Sequence, residues 1–211
     1  MQKYSVFFLT AMSMVLIAVF SVRCSGVEGP ASTGMPRVIN GEAGSLLRPA
    51  KALPAFTLTD QYGEPFDNAR LGGRWSLLFT GFASCRHLCP PTMFKMNMVA
   101  ESVALPSGEA LRLVFVSVDP ERDSIEDLAE YAGRYSAEVV AVTGESSQLD
   151  ALVGGLGATW KVTSDTDSYD VEHSPAIYLI NPDGRFAGIF TPPLIPEKIT
   201  ADVMSYITQS D

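Results

Sequence analysis

Three side chains attract attention first, because their residue types are rare in this chain and can bind a soft metal. After residue 24, cysteine occurs only at Cys85 and Cys89, and the whole chain has two histidines, His87 and His173. Thiolates favour Cu(I), and an imidazole from elsewhere in the chain completes a three-coordinate site, whereas a structural zinc site normally needs four protein ligands. Two cysteines with His173 therefore favour copper over zinc.

The spacing of Cys85 and Cys89 permits two kinds of chemistry. On a helix, residues i and i+4 share one face with their Cβ atoms about 6 Å apart, and a loop can bring the thiols closer. The pair can therefore form a disulfide or hold a soft metal. A bridge across so few residues contributes only about 1–2 kcal/mol of stability, so a purely stabilising disulfide is the less favoured interpretation.

The residues between the cysteines carry potential positive charge. Arg86 and a protonated His87 are expected to lower the thiol pKa values and raise the thiolate content, which assists metal binding and disulfide exchange. His87 is also a candidate fourth ligand, although on a helix its i+2 position points away from both cysteines. The alternative interpretation is a solvated loop histidine.

Strand-like and helix-like segments alternate around these residues and predict how they are positioned. A continuous apolar run over residues 75–82 is typical of a buried strand, and it leads directly to Cys85. The two prolines after Cys89 suit the first turn of a helix, which is predicted to reach about residue 103. A second buried strand is predicted over residues 111–118.

The rest of the pattern predicts an α/β fold, in which helices flank a central mixed β-sheet. A hairpin is predicted around the polar turn at residues 60–63, and Ser124 with Asp127 resembles a capping box that begins a helix extending to about Tyr135. The other predicted elements are strands over residues 139–142, 176–180 and 186–190, a helix over residues 148–156, and a final helix from Pro196.

Residues 1–24 are predicted to be an export signal or a hydrophobic membrane anchor. Residues 6–22 carry no charge and, as a helix rising about 1.5 Å per residue, would nearly cross the apolar layer of a bilayer. The run lacks the small-x-small pattern that signal peptidase prefers, so an uncleaved anchor with the domain outside the cytoplasm, on the periplasmic side or its equivalent, is favoured. Cys24 is either a juxtamembrane thiol or a site of lipid attachment.

Composition divides the remaining chain into a linker and a domain. Residues 25–50 contain many glycines and prolines without a sustained period, which predicts a flexible tether before a folded domain at residues 51–211. The formal net charge of −9 argues against nucleic acid as a partner, because phosphate binding requires clustered Lys and Arg. An acidic surface suits cations or basic protein surfaces.

Three sequence blocks resemble the Sco/SenC family in order and in spacing. They are GFASCRHLCP at residues 81–90, VSVDPERD at residues 116–123 and VEHSPAIYL at residues 171–179. The resemblance extends over about residues 50–208, and the three blocks together are far more specific than a C-x-x-x-C-P motif alone.

The resemblance implies a thioredoxin-like fold that binds copper, Cu(I) or Cu(II), through Cys85, Cys89 and His173. It also implies partners: copper donor proteins, and the copper-receiving subunit of cytochrome c oxidase, whose binuclear copper centre such proteins help to mature. This chain departs from the usual C-P-D-x-C pattern of the family, because Arg86 and His87 follow the first cysteine.

Several neighbouring residues are secondary candidates. Residues 119–123 are expected near the metal, and Pro175 resembles the cis-proline that thioredoxins place opposite their cysteines, which favours redox work; a trans-proline opening an edge strand is the alternative. Three methionines can act as thioether ligands, although core packing is favoured for them: Met93, Met96 and Met98. The residues that can orient the His173 ring through a hydrogen bond are Tyr169, Asp170 and Glu172.

Two functions of different classes follow. The favoured one is a copper metallochaperone for cytochrome c oxidase, without turnover of its own. The alternative is a membrane-tethered thiol–disulfide oxidoreductase that uses Cys85 and Cys89 as a redox pair to reduce the copper-ligand cysteines of a partner. His173 discriminates between them, because thiol exchange needs no imidazole whereas a two-sulfur, one-nitrogen copper site does.

Overall fold

A nine-stranded mixed sheet forms the centre of the fold in the computed structural model, which describes residues 35–135, 137–164 and 169–209. The elements in chain order are β1 (Arg37–Asn40), β2 (Gly44–Lys51), β3 (Thr57–Asp60), β4 (Pro65–Asp67), α1 (Asn68–Leu71), β5 (Ser76–Gly81), α2 (Cys89–Ser102), β6 (Arg112–Ser117), α3 (Ile125–Ala132), β7 (Val139–Thr143), α4 (Ser146–Gly155), β8 (Trp160–Ser164), β9 (Tyr169–His173), β10 (Ile177–Ile180), β11 (Phe186–Phe190) and α5 (Pro196–Thr208).

The strand order of the large sheet is β1-β2-β11-β10-β5-β6-β7-β3-β4, and β8 and β9 form a separate two-stranded sheet. Strands β5, β6 and β7 are parallel, whereas β10 is antiparallel to both β5 and β11. Every residue of β5 and β6 is buried, as expected for strands covered on both faces. The predicted α/β fold with a central mixed sheet is confirmed.

Helices pack on both faces of the sheet because successive side chains of a strand point to opposite sides. Leu77 and Phe79 of β5 belong to one apolar cluster, which includes buried residues of α2, α3 and α5. Leu78 belongs to a second cluster, which includes buried residues of α1 and α4. The start of α2 is therefore held against the first face of the sheet, where Cys89 is part of the core.

The prediction of a flexible tether up to residue 50 is wrong for residues 37–50. These residues form β1 and β2, which pair with each other, while β2 also pairs with β11. The turn between the two strands is fixed by Asp202 of α5, whose carboxylate accepts hydrogen bonds from three successive N–H groups at residues 42–44. Backbone pairing at a sheet edge needs no apolar periodicity, which is why composition alone indicated a linker.

The predicted anchor at residues 1–24 and the first part of the tether lie outside the described residues. Between residues 35 and 209, none of the described helices has both the length and the hydrophobicity of a membrane span.

The other predicted elements are observed with small shifts. Ser124 and Asp127 form the predicted capping box, but α3 ends at Ala132 and Gly133 caps it, so the helix stops short of Tyr135. The β8–β9 hairpin and the short helix α1 were not predicted. The hairpin carries one of the predicted ligand residues, because His173 is the last residue of β9 and does not belong to the segment that begins β10.

Candidate metal centre

The three predicted ligand residues converge in space. Cys85 Sγ, Cys89 Sγ and one ring nitrogen of His173 all lie within 4.8 Å of one another. Both thiols are free, and Cys89 Sγ lies 3.6 Å from His173 Nε2. Two of the groups come from the segment between β5 and α2, and the third comes from the end of β9, so the chain folds back over more than eighty residues to assemble them.

The segment between β5 and α2 is a loop rather than the beginning of the helix. The Cys85 N–H donates to the carbonyl of Phe82 at 3.1 Å, and α2 begins only at Cys89. The Cys89 N–H points at Cys85 Sγ, 3.4 Å away. The sequence allowed either a helix or a loop between Cys85 and Cys89, and the structure shows the loop, which brings the two thiols close together.

Two contacts position this loop. A Cβ atom at Gly81 would lie 2.7 Å from Cys89 Sγ, so only glycine leaves room for the thiol at the end of β5. The buried carboxylate of Asp123 accepts hydrogen bonds from the Ala83 N–H and the Ser117 hydroxyl, both at 2.6 Å. Burial raises the pKa of Asp123, although these hydrogen bonds oppose the shift. The loop is thereby attached to the end of β6.

The two thiols have different environments. Cys89 is fully buried, and this burial raises the pKa of its thiol strongly. Cys85 is half-buried; burial raises its pKa, but this effect is outweighed by hydrogen bonds from the backbone and side chain of Cys89 and from the backbone of His87 and Leu88, so the pKa is lowered overall. The prediction that both pKa values fall is wrong for Cys89, and at Cys85 hydrogen bonds rather than the Arg86 charge account for the shift.

The His173 ring presents its Nε2 atom to the thiols. Its Nδ1 atom lies 3.3 Å from the Ser174 carbonyl, which can only accept, so Nδ1 carries the proton and Nε2 keeps a lone pair for a metal. Burial lowers the pKa of His173, which favours the neutral imidazole that metals bind. The ring also packs edge-to-face against Phe79 and Phe82, with centroid distances of 5.6 and 6.0 Å.

Three polar residues attach β9 to the segment between β6 and α3. The Tyr169 hydroxyl donates to the fully buried carboxylate of Asp119, and Arg122 forms an ion pair with the same carboxylate at 2.6 Å. The Arg122 guanidinium also stacks over the Tyr169 ring, 3.6 Å from its centroid. We refer to Asp119, Arg122 and Tyr169 as the Asp119 cluster. It fastens the strand that carries His173.

The described residues of the hairpin also pack against the second apolar cluster, which includes Val171 and contacts Trp160 and Val162. Trp160, opposite His173 in the β8–β9 pairing, donates from its indole N–H to Asp150 of α4 at 2.9 Å. Ser174 exchanges hydrogen bonds with Thr159, and the Ser174 hydroxyl accepts from the Thr159 N–H at 3.0 Å. A shallow depression of about 290 Å³ lies between the hairpin and Pro175. The histidine side of the centre is thus held by polar contacts and by packing against the second apolar cluster.

The secondary candidates take other places. Residues 119–123 lie near the centre as expected, but they position the loop and β9. Among the described residues, the only hydrogen-bond partner of the His173 ring besides Cys89 is the Ser174 carbonyl, so Tyr169, Asp170 and Glu172 do not orient it directly.

The other candidates were His87, the three methionines and Pro175. His87 is exposed and is not among the converging residues. Met93 and Met96 are fully buried in the core, as favoured, and Met98 is 37% exposed. The Ser174–Pro175 bond is not among the cis peptide bonds of the described residues, so the thioredoxin-like cis-proline is not observed.

Several residues of the site were missed by sequence reasoning. Gly81, Phe82 and Ser174 lie within the recognised motifs, but their roles, like that of Phe79, depend on long-range packing that the sequence does not show. The β8–β9 hairpin did have a signal: apolar and polar residues alternate over residues 160–164 and again over residues 169–173, with Trp160, Val162, Tyr169 and Val171 at every second position.

Comparison with known proteins agrees with this arrangement. A family model described as SCO1/SenC matches residues 45–208. A Stutzerimonas stutzeri protein, whose name gives a provisional copper-binding function, is 36% identical over 155 residues, covering 72% of this chain and 76% of that protein. The mitochondrial SCO2 homolog of Mus musculus is 30% identical over 155 residues, or 72% of this chain but only 61% of that protein.

A solved structure extends the comparison to three dimensions. Arabidopsis thaliana ScoI, crystallised with copper bound, is 28% identical and superposes with a TM-score of 0.69, covering 75% of this chain and 99% of that one. The shared fold, the matching family model and the three ordered motifs lead to one conclusion: this chain belongs to the SCO1/SenC family.

Proposed function

We propose that this protein binds one copper ion through Cys85 Sγ, Cys89 Sγ and His173 Nε2, and that it delivers this ion to the copper-receiving subunit of cytochrome c oxidase. The observation that carries the proposal is the convergence of the three ligand atoms within 4.8 Å of one another. Two sulfurs and one imidazole nitrogen form a donor set that suits copper. Family membership and a copper-bound relative of similar fold support it.

The geometry suits a cargo ion better than a permanently enclosed one. Cys89 and Nε2 of His173 lie on the inner side, where burial disfavours charge on the Cys89 thiol until a metal displaces its proton. Cys85 lies at the half-exposed rim with a lowered pKa. A ligand of the recipient protein can therefore approach the ion from the Cys85 side and replace the ligands one at a time.

The proposed cellular setting rests on the N-terminal sequence. An uncleaved apolar run at residues 1–24 would hold the domain at a membrane, outside the cytoplasm, where copper donor proteins and the oxidase subunit are accessible. This placement suits a protein whose two thiols are close enough to be oxidised, because disulfides persist in such compartments.

Copper stoichiometry of the full chain tests the proposal. In a Cys24→Ser background, which leaves only the two site thiols, the reduced protein is expected to bind one equivalent of copper. The protein oxidised to the Cys85–Cys89 disulfide is expected to lose this binding, because a disulfide cannot supply two thiolates. Equal copper content in the oxidised and reduced proteins would contradict the assignment.

A second candidate function, thiol–disulfide oxidoreductase, has one observation in its favour. Both thiols are free and close together, and the more accessible Cys85 has the lower pKa, as in an attacking thiol. In that reaction the Cys85 thiolate would attack a partner disulfide. This attack breaks the partner disulfide, releases one partner thiol and leaves the other partner sulfur in a mixed disulfide with Cys85. The Cys89 thiolate would then attack Cys85 Sγ and displace this second partner thiol, so that two electrons pass to the partner and the Cys85–Cys89 disulfide remains.

A further inference from the structure

Helix α2 exposes large apolar side chains on the part of its outer face that precedes Glu101. Toward the core it buries Met93, Met96 and Val99 completely. Large apolar side chains also point outward: Leu88 is 41% exposed, Phe94 is 61% exposed and Met98 is 37% exposed, and Pro91 beside them is exposed too. We call Leu88, Pro91, Phe94 and Met98 the α2 face.

The other amphipathic helices do not share this property. The outer residues of α3 include Glu126, Asp127 and Glu130, and those of α5 include Glu197 and Lys198, all of them exposed. A contiguous exposed apolar patch bordered by polar residues marks an interaction site more often than chance.

The α2 face begins at the candidate metal centre. Leu88 directly precedes the ligand Cys89, and steps of three or four residues place the following members along one side of the helix. Cys85, the more exposed of the two thiols, lies in the loop at the same end of the helix. A protein that reaches the ion from the Cys85 side therefore comes to lie beside the α2 face.

The charge around this face is opposite to that of the whole chain. Residues 82–100 contain Arg86, His87 and Lys95 but no Asp or Glu, although the chain has a formal net charge of −9. The first acid of α2, the exposed Glu101, lies at the end of the helix away from the candidate metal centre. Arg86 and His87 are exposed, and Lys95 is half-buried within α2. The surface is thus an apolar strip with a basic border on an otherwise acidic protein.

We propose that the α2 face is the docking surface for the protein that receives the copper ion, and that this partner presents an apolar patch bordered by carboxylates beside its own copper ligands. The identity of the partner rests on the proposed function. Complementary charge accelerates and orients the encounter, while the apolar strip supplies the buried centre of the interface.

Two other occupants fit the surface less well. A second copy of this chain would place the basic borders of Arg86, His87 and Lys95 against each other, which is unfavourable. An anionic lipid surface matches the charge but would cover the Cys85 side of the centre, where the ligand of a recipient protein has to enter.

Direct binding, without copper, tests the proposal. The probe is the metal-free, reduced soluble domain of the copper-receiving oxidase subunit from the same organism, titrated into the full chain in nanodiscs of zwitterionic lipid. Phe94→Ser is expected to raise Kd by about 10-fold or more, because a large aromatic side chain at the centre of an interface is a typical hot spot. The control Tyr62→Ser, which removes a 78% exposed aromatic outside the α2 face, should leave Kd unchanged.

A charge-reversed variant tests the border separately. Arg86→Glu with Lys95→Glu is expected to slow association by about 10-fold at low salt and to remove most of its salt dependence. Circular dichroism and the copper affinity of each variant are measured in parallel, and both should match the wild type for Phe94→Ser, which replaces an exposed side chain that is not a ligand.

Every other outcome overturns the proposal. It fails if the wild type does not bind the probe, or if Phe94→Ser binds it like the wild type. If Phe94→Ser changes only the sedimentation of the chain, the α2 face is a self-association surface. If Phe94→Ser changes only the binding of anionic vesicles, the α2 face is a membrane contact. Failure of the proposed function would appear separately, as missing copper stoichiometry, because the binding assay contains no metal.

Discussion

The cysteine side of the metal centre is built into the core, whereas the histidine side is carried by a hairpin at its margin. The cysteine loop follows β5, whose six residues are all buried, and leads into α2 at the fully buried Cys89. Within the part of the chain that the structure describes, strand β9 pairs only with β8, and Val171 is its one buried residue. The hairpin depends on the Asp119 cluster and on the Trp160–Asp150 hydrogen bond.

Because of this difference, thiol exchange and copper binding depend on different parts of the same site. Thiol exchange requires only Cys85 and Cys89, which the core positions, while a three-ligand copper site also requires the hairpin to hold His173. Changes in the hairpin are therefore expected to alter copper binding with little effect on the thiols.

Replacing His173 tests this separation with the largest expected effect. We expect His173→Ala to weaken Cu(II) binding by more than about 100-fold, because it removes a direct ligand, whereas loss of an outer partner alone costs roughly 10–100-fold. Cu(I) binding should fall less, since two thiolates remain and suit that ion. The Cys85–Cys89 reduction potential should stay within about 30 mV of the wild type. Chelator competition and redox titration measure these quantities.

His87→Ala is the matched control for this experiment, since it removes the other, exposed histidine. It should leave Cu(II) affinity unchanged. If instead His173→Ala keeps its copper affinity and shifts the potential, His173 adjusts the thiols, and the oxidoreductase would replace the chaperone as the better function.

The contrast between the two thiols predicts selective alkylation. In the reduced, metal-free Cys24→Ser protein at pH 7, iodoacetamide should modify Cys85 at least about 100-fold faster than Cys89, because each pKa unit changes the thiolate fraction about tenfold. The pKa of Cys85 is lowered and that of Cys89 is raised. As the pH falls, the Cys85 rate should persist below the range in which an ordinary thiol loses reactivity. Peptide mass spectrometry measures both rates, and comparable labelling of Cys89 would contradict the assignment of the buried thiol.

Tyr169→Phe examines the attachment of the hairpin, with a smaller effect. The change removes the hydroxyl that donates to Asp119 and leaves the ring that stacks with Arg122. We expect about 10-fold weaker Cu(II) binding, because His173 is then less well positioned, and a loss of about 1 kcal/mol in the free energy of unfolding. Tyr62→Phe, at an exposed tyrosine, is the control for both measurements. Unchanged Cu(II) affinity in Tyr169→Phe would show that the Asp119 cluster serves stability only.

Most of the fold could be predicted where local signals agree with tertiary packing. The buried strands β5 and β6 appear as continuous apolar runs, and α3 begins at its capping box. The prediction failed at β1 and β2, because backbone pairing and the Asp202 carboxylate hold them in place rather than an apolar pattern. It also failed at β8–β9, where two half-buried strands gave only a weak alternation.

The sequence by itself determined which chemical groups are available and which family the chain belongs to: two cysteines four positions apart, one distant histidine, and three ordered motifs. It could not decide the environment of each group. Only the tertiary structure made Cys89 buried and Cys85 accessible, replaced the expected influence of Arg86 with backbone hydrogen bonds, and placed His173 on a hairpin fastened by Tyr169. Residue types are local properties, whereas burial, hydrogen bonding and the pKa values that follow from them depend on neighbours that are distant along the chain.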